Sequence, residues 1–212
     1  MAILNDGING GFTGKVGSVI GYQLNGKWVI KGLPKLSKKN KIGTEKQQAC
    51  RSKFTLMQDF LSKVLGYIKI GFNLESKARM MTAHNAAKSY NMLHAFNENN
   101  EIDYSQITLT YGKLAGAREI QHFSDDAGIH FVWALENFKD YQRNHDQVMI
   151  LAYSFADDIA YCIYSGARRK EGQETLQIPQ HHKGSEFHTW ISFVSDDRTS
   201  ISRSSYVGLI TY

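Results

Sequence analysis

"GGFTGKVGSVIGYQLNGKWVIKGLPK", residues 10–35, holds seven glycines and turns basic towards its end. Such a stretch either wraps a phosphate in backbone amides or turns a short sheet. A phosphate loop needs G-x-x-x-x-G-K-[ST], because the amides cradle the phosphates and the hydroxyl holds magnesium. Aligned on Gly14-Lys15, the first glycine position is Asn9, and Val16 stands where the hydroxyl belongs. The dinucleotide pattern G-x-G-x-x-G is missing as well. The phosphate reading fails.

The sheet reading holds together. "KVGSVIGYQL" and "KWVIKGL" are β-branched and aromatic runs joined by Asn25-Gly26, the strongest short-range hairpin signal, since both turn positions tolerate positive φ. Pro34 ends the second strand because it cannot donate a ladder hydrogen bond. A lone two-stranded hairpin is marginal in water. Its apolar residues Val16, Val19, Tyr22, Trp28 and Ile30 must therefore be covered by the rest of the chain or by a neighbour.

At 212 residues the chain can bury a real core, and 42% hydrophobic with 21% charged residues excludes a disordered composition. Cys50 and Cys162 are too few for a disulfide framework and read as two separate thiols. The start "MAILNDGING" has no basic, apolar leader, and no run approaches the 18 or so apolar residues of a membrane span. A cytoplasmic protein is expected, with export by a signal-independent route left open. Charge is uneven: residues 1–53 hold ten Lys or Arg against Asp6 and Glu45, a net +8, while the remainder nets −3. A basic head of this kind steers anionic partners.

Beyond the linker "KLSKKNKIG", Thr44 and Gln47 form a capping box that starts a helix. Phe54, Met57, Leu61, Val64, Leu65 and Ile68 then draw one apolar stripe. A second helix is expected over 76–96, paired with the first around "GFN" at 71–73. From Ile102 the period becomes two. "QITLTYGKL", "GIHFVWAL", "QVMILAYSF", "IAYCIYSGA", "ETLQIP", "FHTWISFVS" and "SSYVGLITY" are seven strand candidates separated by turns. That pattern predicts an α+β chain: a hairpin and helix pair over 1–101, then an immunoglobulin- or fibronectin-like antiparallel sandwich over 102–212.

Catalytic and metal signatures do not assemble. Asp125-Asp126, Asp157-Asp158 and Asp196-Asp197 fall between strands, where aspartate favours turns, and lack calcium-loop spacing. His181, His182 and His188 have no matching ligand partners, and His84 and His94 lie on different helix faces. No G-x-S-x-G elbow or cysteine-protease signature is present. No enzyme activity, cofactor or metal is expected.

The blocks "GFTGKVGSVIGYQLNGKWVIKGLP", Thr44/Gln47/Lys53/Phe54, "IDYSQITLTYGKL" and "SSYVGLI" occur in this order. Together they resemble a family of uncharacterised proteins, found chiefly in Bacteroidota-type bacteria and known only as a domain of unknown function. Lys31 stands where that family usually has arginine. The resemblance implies the architecture and carries no activity, substrate or catalytic residue.

The expected function is therefore a non-enzymatic interaction protein, self-assembling through Val16, Val19, Tyr22, Trp28 and Ile30 on itself or on other subunits. Nucleic-acid binding through Lys35, Lys38, Lys39, Lys41, Lys46, Arg51 and Lys53 is a second reading. A third is a sandwich that binds carbohydrate or peptide with Trp133, Trp190 and the "IPQHHKG" loop, although both tryptophans have the apolar neighbours of buried residues.

Overall fold

The computed structural model describes residues 2–4, 7, 10–24, 26–33, 43–135 and 141–212. Two compact units divide the chain, residues 1–48 and 49–212.

The first unit holds a four-stranded antiparallel meander in the order β1 (Ala2–Leu4), β2 (Phe12–Val16), β3 (Val19–Leu24) and β4 (Lys27–Gly32). The expected hairpin is its β3–β4 half, where Leu24 pairs with Lys27 across a two-residue turn. Asn25 and Pro34 lie outside the described residues. The run "KVGSVIGYQL" is two strands rather than one. Val16 pairs with Val19 across Gly17-Ser18, and Gly17 sits at φ 55°, the backbone that a tight hairpin turn demands of its first residue.

Four helices follow: α1 (Glu45–Lys63), α2 (Leu65–Gly71), α3 (Asn73–Ala78) and α4 (Ala83–His94). The capping box is formed, with the Thr44 amide donating to Gln47 Oε1 at 3.0 Å and the Gln47 amide to Thr44 Oγ1 at 3.3 Å. Met57, Leu61, Val64 and Ile68 are buried as the stripe predicts, while Phe54 is exposed. The second helix is broken in two. Met80 takes φ 53°, and Thr82 caps α4 by accepting from the Asn85 amide at 3.2 Å. Leu93, near its end, is 79% exposed.

Seven strands complete the chain: β5 (Gln121–Asp125), β6 (Gly128–Val132), β7 (Gln147–Ser154), β8 (Ile159–Ile163), β9 (Gln173–Leu176), β10 (Glu186–Val194) and β11 (Ser205–Thr211). They form a four-stranded sheet, β11-β10-β7-β8, and a three-stranded sheet, β5-β6-β9, all antiparallel. Six of the seven expected runs contain a strand. "QITLTYGKL" does not: a 3-10 turn (Tyr104–Gln106) leads into buried extended chain whose one ladder contact is the Leu114–Ser202 bridge. Part of its backbone bonds to side chains, the Leu109 amide donating to Ser204 Oγ at 2.8 Å, and part to backbone outside any strand, the Tyr111 amide donating to the Gly71 carbonyl at 3.0 Å. The seventh strand is β5.

Alternation along β7 explains the layering. Met149, Leu151 and Tyr153 enter a core with Met57, Leu61, Tyr67 and Ile68 of the helices. Val148, Ile150 and Ala152 enter a second core with Ile129, Phe131 and Leu176 of the three-stranded sheet. The four-stranded sheet is thus covered on both faces, which is why β7 and β10 read as continuous apolar runs. Residues on both sides of position 101 share the helix-side core. The architecture is mixed helix and antiparallel sheet, and no helix among the described residues is long and apolar enough to cross a membrane.

Candidate functional site

Directly paired residues in an antiparallel sheet share a face. In the N-terminal meander Leu4 pairs with Phe12, Val16 with Val19, Gly14 with Gly21, and Gly21 with Ile30. One face therefore carries Leu4, Phe12, Val16, Val19, Trp28 and Ile30, with no charged residue among those described. Lys15 pairs with Ile20, which pairs with Lys31, and Leu24 with Lys27. All three lysines occupy the opposite face. Tyr22 joins them, paired with Val29. The structure thus gathers four of the five expected apolar residues and separates Tyr22 from them.

Glycines let this face lie flat. A Cβ at Gly21 would come within 2.6 Å of the Phe12 ring, and one at Gly11 would overlap the Trp28 ring. The aromatic rings occupy the space that side chains would fill. Ile30 is nonetheless 65% exposed, Val16 52% and Trp28 39%.

The expected basic patch divides. Lys35, Lys38, Lys39 and Lys41 lie outside the described residues. Lys46 and Arg51 are exposed on α1, and Lys53 places its ammonium 5.1 Å from the centre of the Phe96 ring. At 3.6 residues per turn Arg51 projects from nearly the opposite side of the helix to Lys53.

A family profile matches residues 11–208, described as a family of unknown function, DUF6266. The chain belongs to this family. No curated protein and no solved structure matches it. The DUF6266 match begins at Gly11, on which Trp28 rests, and takes in β2 to β4 together with nearly all of the second unit.

Elsewhere in this DUF6266 chain, several polar residues hold turns and pair with one another. Asp125 accepts the Ala127 amide at 2.8 Å and Asp197 the Thr199 amide at 3.0 Å, as turn aspartates do. Hydrogen bonds from His130 and Ser195 respectively hold these carboxyls below the usual range. Asp157 and Asp158 do more than turn the chain: Asp157 meets His182 Nδ1 at 3.1 Å, and Asp158 takes the Tyr153 hydroxyl at 2.7 Å and pairs with Lys63. Sequence spacing gave no signal for these last contacts. Both cysteines are free, and burial pushes the Cys162 thiol up to about 11. Trp133 and Trp190 are buried, Trp133 donating to the Arg169 carbonyl at 2.8 Å, so neither offers a stacking surface. Among the described residues no three His, Cys, Asp or Glu side chains are grouped to hold a metal ion.

Proposed function

We propose that the protein works by self-association rather than catalysis, the uncharged face of the N-terminal sheet packing against the same face of a second copy. The observation that carries this reading is the segregation of Leu4, Val16, Trp28 and Ile30 from Lys15, Lys27 and Lys31. Four strands about 4.8 Å apart and roughly five residues long span on the order of 300 Å², comparable to the largest apolar patch that a monomer exposes, which is often functional. Face-to-face sheet packing buries the apolar side chains and leaves the lysines outward.

The strand order supports reading the second unit as an immunoglobulin/fibronectin-like sandwich. One sheet holds the first, second and fifth of its seven strands, and the other the fourth, third, sixth and seventh. With helices over its outer side, the four-stranded sheet has no open face to offer a partner.

Light scattering coupled to size exclusion tests the proposal. The intact chain should run as a dimer or larger and the W28K/I30K variant as a monomer. A monomeric intact chain at every concentration overturns it.

A further inference from the structure

Within the second unit, α1, the 3-10 turn at Tyr104 and the β7–β8 hairpin enclose a cleft of about 380 Å³. Its walls include Phe60, Tyr104, Tyr153 and Phe155, with Asp59, Lys63 and Asp158 at the rim. These residues lie far apart in sequence, and the fold alone unites them.

Phe155 lies nearly parallel to Phe60, at 19° with centres 6.3 Å apart, and meets the two tyrosines as corners. Tyr153 stands at 84° to Phe155 with centres 4.6 Å apart, and Tyr104 at 53° with centres 4.4 Å apart. A sugar-binding platform needs one flat open ring, whereas rings at steep angles present several π faces to a compact guest. Phe155 remains 42% exposed at the opening. The charges are unequal. Lys63 is paired with Asp158, which also accepts the Tyr153 hydroxyl. The Asp59 carboxylate, exposed at the rim, has no partner among the described residues, so the cleft keeps one uncompensated negative charge. Burial raises the Tyr104 phenol to about 12 and the Tyr153 phenol further, so both walls are neutral at physiological pH.

We infer that this cleft binds an alkylammonium group, seated on the faces of Tyr104 and Phe155 with Asp59 as counter-ion. Aromatic walls attract cations through the ring quadrupole, most strongly where water is displaced. A volume of this size suits a lysine side chain or a small quaternary amine. The inference does not depend on self-association, because every lining residue lies in the second unit.

The test is an amide-resolved NMR titration of the full chain with Nα-acetyl-lysine methylamide, with choline, and with methyl β-glucoside as a neutral control. Saturable shifts should appear around Asp59, Tyr104 and Phe155 by about 10 mM ammonium probe, a concentration suited to the weak affinity of so small a ligand. The tighter of the two ammonium probes identifies the source as a side chain or a free amine. D59N should weaken binding about fivefold, and F155L by a similar factor. Asp59 is exposed, so D59N leaves the packing intact and its spectrum otherwise unchanged. Three results would each overturn the inference: no saturable shift, equal binding of the glucoside, or unaltered affinity in D59N.

Discussion

Asn91 pairs with the backbone of Thr108 on both sides of its amide: Nδ2 donates to the Thr108 carbonyl at 2.8 Å, and Oδ1 accepts the Thr108 N–H at 2.8 Å. Both residues are buried. A helix side chain thus supplies the bonds that a neighbouring strand would otherwise give. Replacing Asn91 with Ala strips two buried backbone groups of their partners, each worth roughly 1–3 kcal/mol. N91A should therefore lose about 2–5 kcal/mol in urea unfolding, with an unchanged m-value. A loss under about 1 kcal/mol would mean that water or a shifted backbone replaces the amide.

That pairing also explains a misreading. "QITLTYGKL" alternates like a strand, and the pattern records its burial correctly, but alternation says nothing about what the backbone bonds to. The partners, Asn91 and Ser204, sit far away in sequence. By contrast, the Thr44–Gln47 cap was legible because both residues lie within one helical turn. Strand β5, "QHFSD", has alternate residues open to solvent and few apolar ones, so hydrophobic period gave little to detect. In the N-terminal sheet the Asn25-Gly26 turn was plain and the Gly17-Ser18 turn was not, which merged two strands into one; Tyr22, three residues from Val19 on the same strand, falls on the opposite face by alternation alone. The cleft at Asp59 was invisible in principle, since no local pattern links residues 59, 104 and 155.

Arg169 and Asp146 form a buried ion pair at 3.3 Å, and the guanidinium also donates to the carbonyls of Ala115 and Gly116 at 2.6 and 3.0 Å while lying 4.1 Å from the Phe193 ring centre. Removing one partner leaves an uncompensated charge in the core, at a cost of about 3–5 kcal/mol. R169A and D146A should each show losses of that order by chemical denaturation. The double substitution to apolar residues of similar volume should recover much of it.

Gly21 faces the Phe12 ring too closely to admit a side chain. G21V should abolish hydrogen-exchange protection at the amides of Ile20, Tyr22 and Val29. Retained protection there would show that Phe12 can move aside.

Burial lowers the pKa values of His84, His122 and His188, favouring neutral imidazole in the fold. His188 Nδ1 lies 2.8 Å from the Tyr206 hydroxyl, and its ring lies 4.5 Å from that of Tyr104. The unfolded state then binds more protons just below pH ~6.5. Stability from these groups is complete above that pH and declines as pH falls towards the folded values. Depressed carboxyls act lower. Lys63, with Tyr153, holds Asp158 down, so its contribution persists above about pH 4 and is lost below it. Urea midpoints measured from pH 7 to 3 should fall in two stages, H188Q flattening the first and D158N the second. A single stage unaffected by either substitution contradicts these assignments.

Two copies that meet through uncharged faces still bring together two heads of net charge +8 over residues 1–53. Screening relieves that repulsion, so self-association should tighten between about 0.05 and 0.5 M salt. Nucleic-acid binding would weaken over the same range. Sedimentation at both salt concentrations checks the sign.

The most direct measurement uses Trp28 itself. It is one of three tryptophans, and the other two, Trp133 and Trp190, are buried. Acrylamide quenching across about a hundredfold range of protein concentration, spanning micromolar affinities, therefore reports the N-terminal face. A covered face predicts ready quenching in dilute solution and progressive protection as concentration rises, with W28F removing the quenchable component. Quenching that stays constant throughout would contradict contact between copies at this surface.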